Sequence, residues 1–263
     1  MKKGFSIMMI LLIGLLAACG TSDKANNSTN GSKEEEKKVI VMGTSADYPP
    51  FEYIDTAKGE EIIGFDVDIA KSLADKLGYE VQIKDMEFSG LISALENGQV
   101  DFVLSGMTPT EERKKSVDFS DVYYTAHHMI VSSKDSGIKS IDDLKGKTVG
   151  VQLGSIQEEK ATEMAKTIDF KIENRNRIPE LIQEIKAGRF DAAIIEDTVA
   201  NGYFKKNKDI EGFTIEDAAA EEAGSAIAFP KNSDLTEDFN TALNEMIENG
   251  ELDKLVVKWF GGE

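Results

Sequence analysis

The chain is poor in the residues that build disulfides and metal centres. Its one cysteine, Cys19, has no partner for an internal disulfide. Its only two histidines, His127 and His128, are adjacent, and no Cys/His cluster surrounds them. We therefore expect no metal site and no cofactor. The sequence also lacks a phosphate-binding loop, a nucleophile elbow and a pattern that pairs two carboxylates, so it favours a binding protein over an enzyme.

Positive charge is also scarce. The chain has 30 Lys and Arg residues against 48 Asp and Glu residues, which gives a formal net charge of −18. Nucleic-acid-binding proteins need a basic face, so we expect no nucleic-acid partner. An acidic protein is instead soluble and attracts cationic ligands.

No hydrophobic run is long enough for a comfortable membrane span. The longest, Phe5–Ala18, follows two lysines and is shorter than the roughly 20 residues that a bilayer requires. Residues 1–18 therefore resemble a secretory signal peptide. Leu16 to Cys19 resembles the lipobox of bacterial lipoproteins, which implies cleavage before Cys19 and attachment of lipid, palmitate included, to its sulfur. The alternative is a retained signal-anchor with an incidental cysteine.

A polar segment follows the cysteine. Residues 19–38 are rich in Ser, Thr, Asn, Gly, Lys and Glu and contain no apolar cluster, so they are predicted to be a flexible tether. The remaining residues, Val39–Glu263, suffice for one large domain or two modest lobes.

An internal repeat indicates that the folded part is built twice. The segments from Leu91 to Asp101 and from Leu181 to Asp191 share a Leu-Ile start, an apolar residue four positions on, a glycine and an aspartate. Each predicts a helix that ends at the glycine. A short, wholly apolar strand follows in each copy and is expected to be buried on both faces.

The flanking segments predict the same plan in both halves. Val39–Val41 and Lys147–Val151 are predicted strands, and Gly64–Leu77 is a predicted helix with its apolar residues on one face. Asp66 and Asp68 in its first turn are expected to complement the helix dipole. The fold class is therefore α/β, with two lobes that each contain a mostly parallel sheet flanked by helices.

Two crossovers are predicted between the lobes, near Thr125–His128 and Glu222–Ser225. The first lobe would comprise residues 39–126 and 222–263, and the second lobe residues 127–221. The alternative is one continuous α/β domain in which the motif is duplicated by chance.

Ligands of such sheets bind beyond the carboxyl ends of the strands. The segments expected around one cleft are Gly43–Tyr48, Ser105–Thr108, Gln152–Gln157 and Glu196–Asp197.

Two predicted helix starts carry groups that suit an anion. Thr108 and Ser155 each begin a capping box after a predicted strand, and Pro109 would occupy the first helical position after Thr108. N–H groups at a helix start bind anions. Arg113, about one turn into the first helix, can bind a carboxylate through two hydrogen bonds. The alternative is that both boxes only cap helices and that Arg113 pairs with a surface acid.

An ordered set of motifs carries a family resemblance. In chain order the motifs are Gly43-Thr44-Ser45-Ala46-Asp47-Tyr48-Pro49-Pro50-Phe51-Glu52, Gly64-Phe65-Asp66-Val67-Asp68, Ser105-Gly106-Met107-Thr108 to Arg113, Asp118-Phe119-Ser120 and Gly146-Lys147-Thr148-Val149-Gly150-Val151. They resemble the polar amino-acid-binding proteins of ABC importers, solute-binding protein family 3. The match runs from about Lys38 to Gly261. Within the family the chain is most similar to the arginine-binding receptors of Gram-positive bacteria.

The resemblance implies a two-lobed fold of the periplasmic-binding-protein type and a role for each matching residue. Arg113 matches the arginine that binds the ligand α-carboxylate. Gly106 and Thr108 match N–H and hydroxyl donors to the same carboxylate, and Ser155 and Ile156 match backbone donors from the second lobe.

The other end of the ligand has its own matching positions. Ser105 matches a carbonyl that accepts from the α-ammonium, and Tyr48 and Phe88 match aromatic rings that sandwich the ligand side chain. Glu196 matches the acid that binds the ammonium, although the family usually has Asp there and Asp197 is adjacent. The predicted ligand-binding set is Tyr48, Phe88, Ser105, Gly106, Thr108, Arg113, Ser155, Ile156, Gln157 and Glu196.

The implied ligand is a polar, cationic amino acid such as arginine, lysine or histidine. Ser45 occupies a position that is acidic in several receptors for cationic amino acids, so one expected carboxylate is missing. Asp47, Glu52 or Glu87 could substitute for it. The implied partners are the permease subunits of an ABC transporter and, through the lipid anchor, the cell membrane; a monomer is expected.

Three other functions share these features. The chain could be a glutamine-specific receptor, since the motifs do not separate glutamine from ornithine and the other candidates. A few periplasmic dehydratases use the same scaffold. A signalling sensor would need a membrane helix and an output domain after the lobes, and neither is found before Glu263.

Overall fold

Two five-stranded sheets form the framework of the computed structural model, which describes residues 37–215 and 223–261. The predicted signal peptide, Cys19 and all but the last two residues of the predicted tether lie outside the described residues. The strands are β1 (Lys38–Thr44), β2 (Asp47–Tyr48), β3 (Glu52–Asp55), β4 (Glu61–Ile63), β5 (Tyr79–Asp85), β6 (Phe102–Val103), β7 (Val117–Ala126), β8 (His128–Ser133), β9 (Thr148–Gln152), β10 (Lys171–Arg175), β11 (Ala192–Glu196), β12 (Ile210–Thr214) and β13 (Ala223–Pro230).

Helices cover both sheets. They are α1 (Phe65–Lys76), α2 (Leu91–Glu96), α3 (Arg113–Ser116), α4 (Ile156–Met164), α5 (Ile178–Lys186), α6 (Asp197–Lys206), α7 (Leu235–Glu248) and α8 (Glu251–Phe260). The helices within the described residues all lack the length or the apolar character that crossing a membrane requires.

The two sheets share one topology. The first has the order β5-β1-β6-β13-β7 and the second the order β10-β9-β11-β8-β12. In each sheet four strands run in one direction and the fourth strand in the order, β13 or β8, runs against its two neighbours. The predicted α/β fold with mostly parallel sheets is therefore confirmed. We call the halves built on these sheets the first lobe and the second lobe.

The reversed strands are the places where the chain changes lobe. β7 of the first lobe ends at Ala126, and β8 of the second lobe begins at His128. The return joins β12, which ends at Thr214, to β13, which begins at Ala223. The residue limits of the two lobes, with the return placed at residue 222 outside the described residues, stay a prediction.

Local sequence signals explain the repeated helix–strand units. The repeat segments form α2 and α5, and Gly98 and Gly188 after them have φ values of +64° and +67°. Because L-residues with a Cβ are strained in this left-handed region, glycine stops both helices. The strands that follow, β6 and β11, occupy the centre of their sheets and are fully buried.

The helix predicted to start at Pro109 does not form there. Residues 107–110 have no regular structure, and α3 starts at Arg113 and contains only four residues. The predicted capping box at Thr108 is therefore wrong. Thr108 instead accepts a hydrogen bond on its carbonyl from Thr110 N, at 2.9 Å, which closes a tight turn before the helix.

The largest apolar cluster is continuous between the lobes. Phe65 and Phe102 of the first lobe and Ile182 and Ile195 of the second lobe belong to it, and all four are buried. Two smaller clusters cover the other faces of the sheets. Burial of apolar surface, at about 25 cal/mol per Å², is the main force that holds such layers together.

Candidate functional site

A cavity lies where the carboxyl ends of the strands of both lobes meet. About 380 Å³ of space, part of it open to solvent, lies between its atoms. It is lined by Ser45, Asp47, Tyr48, Glu52, Phe88, Ser105, Gly106, Thr108, Arg113, Gln152, Ser155, Ile156, Gln157 and Glu196.

The structure brings all ten predicted ligand-binding residues to this one cavity. The lining also contains Ser45, Asp47, Glu52 and Gln152. These four residues are outside the predicted ligand-binding set, although the segments predicted around the cleft include Ser45, Asp47 and Gln152, and Glu52 is one of the acids predicted to substitute for an acid at position 45. Two signals could have found them. Ser45 directly follows strand β1 and Gln152 ends strand β9. Asp47 precedes the predicted aromatic residue Tyr48, and Glu52 begins β3 four residues after it.

The first-lobe wall is built on the turns after β1 and β6. Ser105 links the two turns, because its Oγ accepts from Ser45 N at 3.0 Å and donates to Glu52 Oε1 at 2.8 Å. Gly106 has φ +55°, and a Cβ there would lie 3.2 Å from the Tyr48 ring. Glycine is therefore needed at this position both for the backbone conformation and for contact with the aromatic ring.

The N–H of Gly106 does not have the role that the resemblance implies, because it is hydrogen-bonded within the protein. It donates to Asp66 Oδ2 at 2.9 Å, and Tyr123 Oη donates to the same oxygen at 2.9 Å. Asp66 is fully buried. The prediction that it serves the helix dipole therefore missed its main contacts, whereas Asp68 accepts from Lys258 and Trp259 of α8.

Arg113 crosses the cleft from the first lobe. Its Nη1 donates to the carbonyl of Thr108 at 2.8 Å, and its Nη2 donates to the carbonyl of Gly154 in the second lobe at 2.9 Å. The Phe88 ring lies 5.3 Å from the guanidinium carbon. Burial lowers the pKa of Arg113 to about 10, so the guanidinium still carries its charge at neutral pH. A guanidinium has five N–H donors, so donors remain for a ligand.

The second-lobe wall begins at the N-terminus of α4. Ser155 is the N-cap: its Oγ accepts from Glu158 N at 3.2 Å and donates to the Gln152 carbonyl at 2.7 Å. The second half of the predicted box differs, since Glu158 Oε2 accepts from Gly154 N. Ile156 and Gln157 form the first turn, where helical N–H groups have no partner within the helix.

Glu196 lies at the end of β11 and lines the same cavity. It is 3 % exposed, and its Oε2 accepts from Tyr48 Oη of the first lobe at 2.6 Å. Burial raises the pKa of Glu196 to about 8, although the Tyr48 hydrogen bond lowers it. The neighbouring Asp197 has a different role, because its Oδ1 accepts from Thr198 N at the start of α6.

Glu52, which lines the cavity, forms a buried carboxyl pair with Asp66, which does not. Glu52 and Asp66 are both 0 % exposed, and Oε2 of Glu52 and Oδ1 of Asp66 have no donor among the described residues. Burial, together with Asp66, raises the pKa of Glu52 well above its ordinary value, and burial raises the pKa of Asp66 to about 6. Two adjacent buried carboxyls cannot both ionise cheaply, so the pair retains a proton at neutral pH.

Asp47 is the third acid of the first-lobe wall. Its Oδ2 accepts from Ile178 N of the second lobe at 3.1 Å, and its Oδ1 accepts from Ser45 Oγ at 3.3 Å. Burial raises the pKa of Asp47 to about 6, although Arg177 lowers it. In contrast, Glu87, the other predicted substitute, is outside the lining and accepts from Asn176.

The two histidines do not form a metal centre with other side chains. His128 begins β8, and its Nδ1 lies 3.5 Å from Gln157 Nε2. Over residues 37–215 and 223–261, no group of three His, Cys, Asp or Glu side chains could hold a metal ion.

Comparison with known proteins gives one consistent result. The sequence profile described as bacterial extracellular solute-binding proteins, family 3, matches residues 40–262. The arginine-binding extracellular protein ArtP of Bacillus subtilis (strain 168) is 65% identical over 264 residues, which cover 100% of both chains.

Solved structures of similar proteins share the fold. The substrate-binding protein of an amino acid ABC transporter is 47% identical with a TM-score of 0.80, covering 85% of this chain and 100% of that chain. An ancestral arginine-binding protein bound to arginine is 44% identical with a TM-score of 0.77, covering 86% of this chain and 99% of that chain.

Proposed function

Because the chain belongs to the bacterial extracellular solute-binding proteins of family 3, it is a receptor and not an enzyme, and we propose that its ligand is arginine. The two lobes close around the free amino acid, and the closed form delivers it to the permease subunits of an ABC importer. One observation carries the proposal. A cavity between the lobes is lined by a guanidinium and a helix start on one side, and by a buried carboxyl group that could bind an ammonium.

The carboxylate end of the ligand fits Arg113. The hydrogen bonds to the carbonyls of Thr108 and Gly154 hold the guanidinium in one orientation. Its remaining N–H groups can bind a carboxylate through charge-assisted hydrogen bonds. The start of α4 after Ser155 adds backbone N–H groups and the positive end of the helix dipole.

The ammonium end fits Glu196. An ammonium has three donors and needs acceptors when it leaves water, because an unpaired charge in a closed cavity is costly. Glu196 offers a carboxyl group, and Ser105 offers a carbonyl from the other lobe. A ligand cation would favour the ionised form of Glu196, whose pKa of about 8 already lies near neutrality.

The charge of the cavity favours a cationic side chain. Asp47 lines it with a pKa of about 6 and is therefore ionised at neutral pH, and a ligand cation would also favour the ionised form of Glu196. Tyr48 and Phe88 add aromatic faces, on which a guanidinium gains about 0.5–2 kcal/mol. The similarity to a relative named for arginine supports the same choice.

We also propose that the mature protein is held outside the cell as a lipoprotein. The signal-like residues 1–18 and the lipobox at Cys19 support secretion and lipid attachment, and the polar tether up to residue 38 would keep the lobes near the membrane. The receptor would act as a monomer. Cys19→Ser should release the protein from the cell surface into the medium, which fractionation followed by mass spectrometry would detect.

A thermal-shift screen followed by calorimetry tests the ligand. Arginine, lysine, ornithine, histidine, glutamine and citrulline would be compared. Citrulline matches arginine in length but has a neutral side chain. We expect arginine to give the largest increase in Tm and a Kd of about 1 µM or below. Stabilisation by glutamine or citrulline equal to that by arginine would contradict the cationic preference, and no response to any amino acid would contradict the receptor function.

A further inference from the structure

A short segment of the second lobe binds the first lobe outside the cavity. It comprises residues 176–178, between β10 and α5. Asn176 Nδ2 donates to Glu87 Oε1 at 2.9 Å, and Ile178 N donates to Asp47 Oδ2 at 3.1 Å. We propose that Arg177, at the centre of this segment, is a positioning residue that couples closure of the lobes to the shape of the ligand cavity.

Arg177 makes the strongest of these contacts. Its Nη1 and Nη2 donate to Oδ1 and Oδ2 of Asp85 at 2.9 and 3.1 Å, which is a bidentate pair. The two side chains are 26% and 30% exposed, so the pair is partly shielded from water. Planar bidentate pairs of this kind are stronger and more directional than single-point surface ion pairs.

Asp85 connects Arg177 to the first-lobe wall of the cavity. Its Oδ1 also accepts from Ala46 N at 2.8 Å, and Ala46 lies between the lining residues Ser45 and Asp47. The guanidinium reaches these two neighbours as well. Arg177 Nη1 lies 3.4 Å from Ser45 Oγ, and Nε lies 4.0 Å from Asp47 Oδ2. One side chain of the second lobe therefore contacts two side chains of the turn after β1 directly and its backbone through Asp85.

The ligand has no direct part in this arrangement. Arg177, Asp85 and Asn176 are not among the residues that line the cavity. Their contacts join the two lobes, so they stabilise the closed form relative to an open form. They should therefore mainly slow release of the ligand, since a ligand leaves only after the lobes separate.

The inference rests on the proposed capture of an amino acid, and stopped-flow kinetics with arginine tests it. We expect Arg177→Ala to raise the dissociation rate about tenfold, with an association rate within about twofold of wild type. Asp85→Asn should have the same effect. Adding it to Arg177→Ala should change little, because both variants remove one shared contact.

Arg175 provides the matched control. It lies two residues before Arg177, and its guanidinium binds Glu184 and stacks on Phe190 within the second lobe. Arg175→Ala should leave the dissociation rate within about twofold of wild type. Arg177→Lys should behave like Arg177→Ala to a large extent, because an ammonium cannot form the bidentate pair.

Interlobe distances in the ligand-free protein provide a readout that needs no ligand. With one fluorophore on each lobe, Arg177→Ala should reduce the population of the closed form, and Arg175→Ala should not. Unchanged closed populations and dissociation rates in Arg177→Ala would overturn the inference, as would equal effects of Arg175→Ala. Failure of wild-type protein to bind any amino acid would overturn the proposed function instead, while the fluorescence result would still decide the role of Arg177.

Discussion

The two lobes share a topology but present different chemistry to the cleft. The first lobe contributes side chains: the guanidinium of Arg113 and the rings of Tyr48 and Phe88. The second lobe contributes the start of α4, Gln152 and one acid, Glu196, and its lining residues include neither a guanidinium nor an aromatic ring. This difference fits our proposal that the ligand binds first to the first lobe and that the second lobe completes its coordination on closure.

Each lobe also places one arginine side chain against the opposite lobe. Arg113 reaches from the first lobe to the Gly154 carbonyl of the second, and Arg177 reaches from the second lobe to Asp85 of the first. Arg113 lines the cavity, whereas Arg177 does not. A duplicated fold thus uses the same residue type twice, once towards the ligand and once towards the opposite lobe.

The largest effect should come from the arginine that faces the ligand. Arg113→Ala should weaken arginine binding by a factor of about 100 or more, because a carboxylate would be buried without its charged partner. Calorimetry measures the loss. Arg175→Ala serves as the control for removing an arginine elsewhere, and a Kd for Arg113→Ala within a few-fold of wild type would remove the proposed carboxylate contact.

The acid of the second lobe should have the next largest effect. Glu196→Gln should weaken binding about tenfold or more, because the amide loses the charge that attracts the ammonium. Asp197→Asn should change binding less, since the Asp197 carboxylate accepts from Thr198 N and lies outside the cavity lining. If calorimetry showed a larger loss of affinity for Asp197→Asn than for Glu196→Gln, Asp197 would be the residue that binds the ammonium.

The smallest expected effect is on the pH dependence of stability. It comes from the Glu52–Asp66 pair, which belongs to the first lobe. Both pKa values are raised in the folded protein, to about 6 for Asp66, so the folded state binds more protons than the unfolded state above about pH 4. The pair's contribution to stability is therefore fully present at low pH and is lost as the pH rises through the folded pKa values.

Glu52→Gln tests this sign. The amide can donate permanently to Asp66 and accept from Ser105, so the free energy of unfolding should fall less between pH 5 and pH 8, by on the order of 1 kcal/mol. Denaturant titrations at several pH values measure it. A steeper fall than in wild type would show that Glu52 is ionised in the folded protein.

The repeated units of the fold could be predicted from patterns within short segments of the sequence. The apolar spacing and the terminal glycine of α2 and α5 depend only on residues within each segment, so both units were recognised from the sequence. Thr108 was misjudged for the same reason. Its capping-box pattern is local, but the backbone there forms a turn, and the helix begins only at Arg113.

Contacts between distant residues could not be predicted in this way. Arg177 and Asp85 are 92 positions apart, and no spacing rule joins them. Asp66 was assigned to the helix dipole because it lies in the first turn of a predicted helix. Its burial depends on Gly106 and Tyr123, which reach it only in the folded protein.

A crystal structure of the protein grown with excess arginine tests the central claim most directly. The ligand carboxylate should lie within hydrogen-bonding distance of the Arg113 guanidinium, and the ammonium within hydrogen-bonding distance of Glu196, with both lobes in contact with the ligand. An interlobe cavity without arginine, or an arginine bound with Arg113 turned away from its carboxylate, would contradict the account.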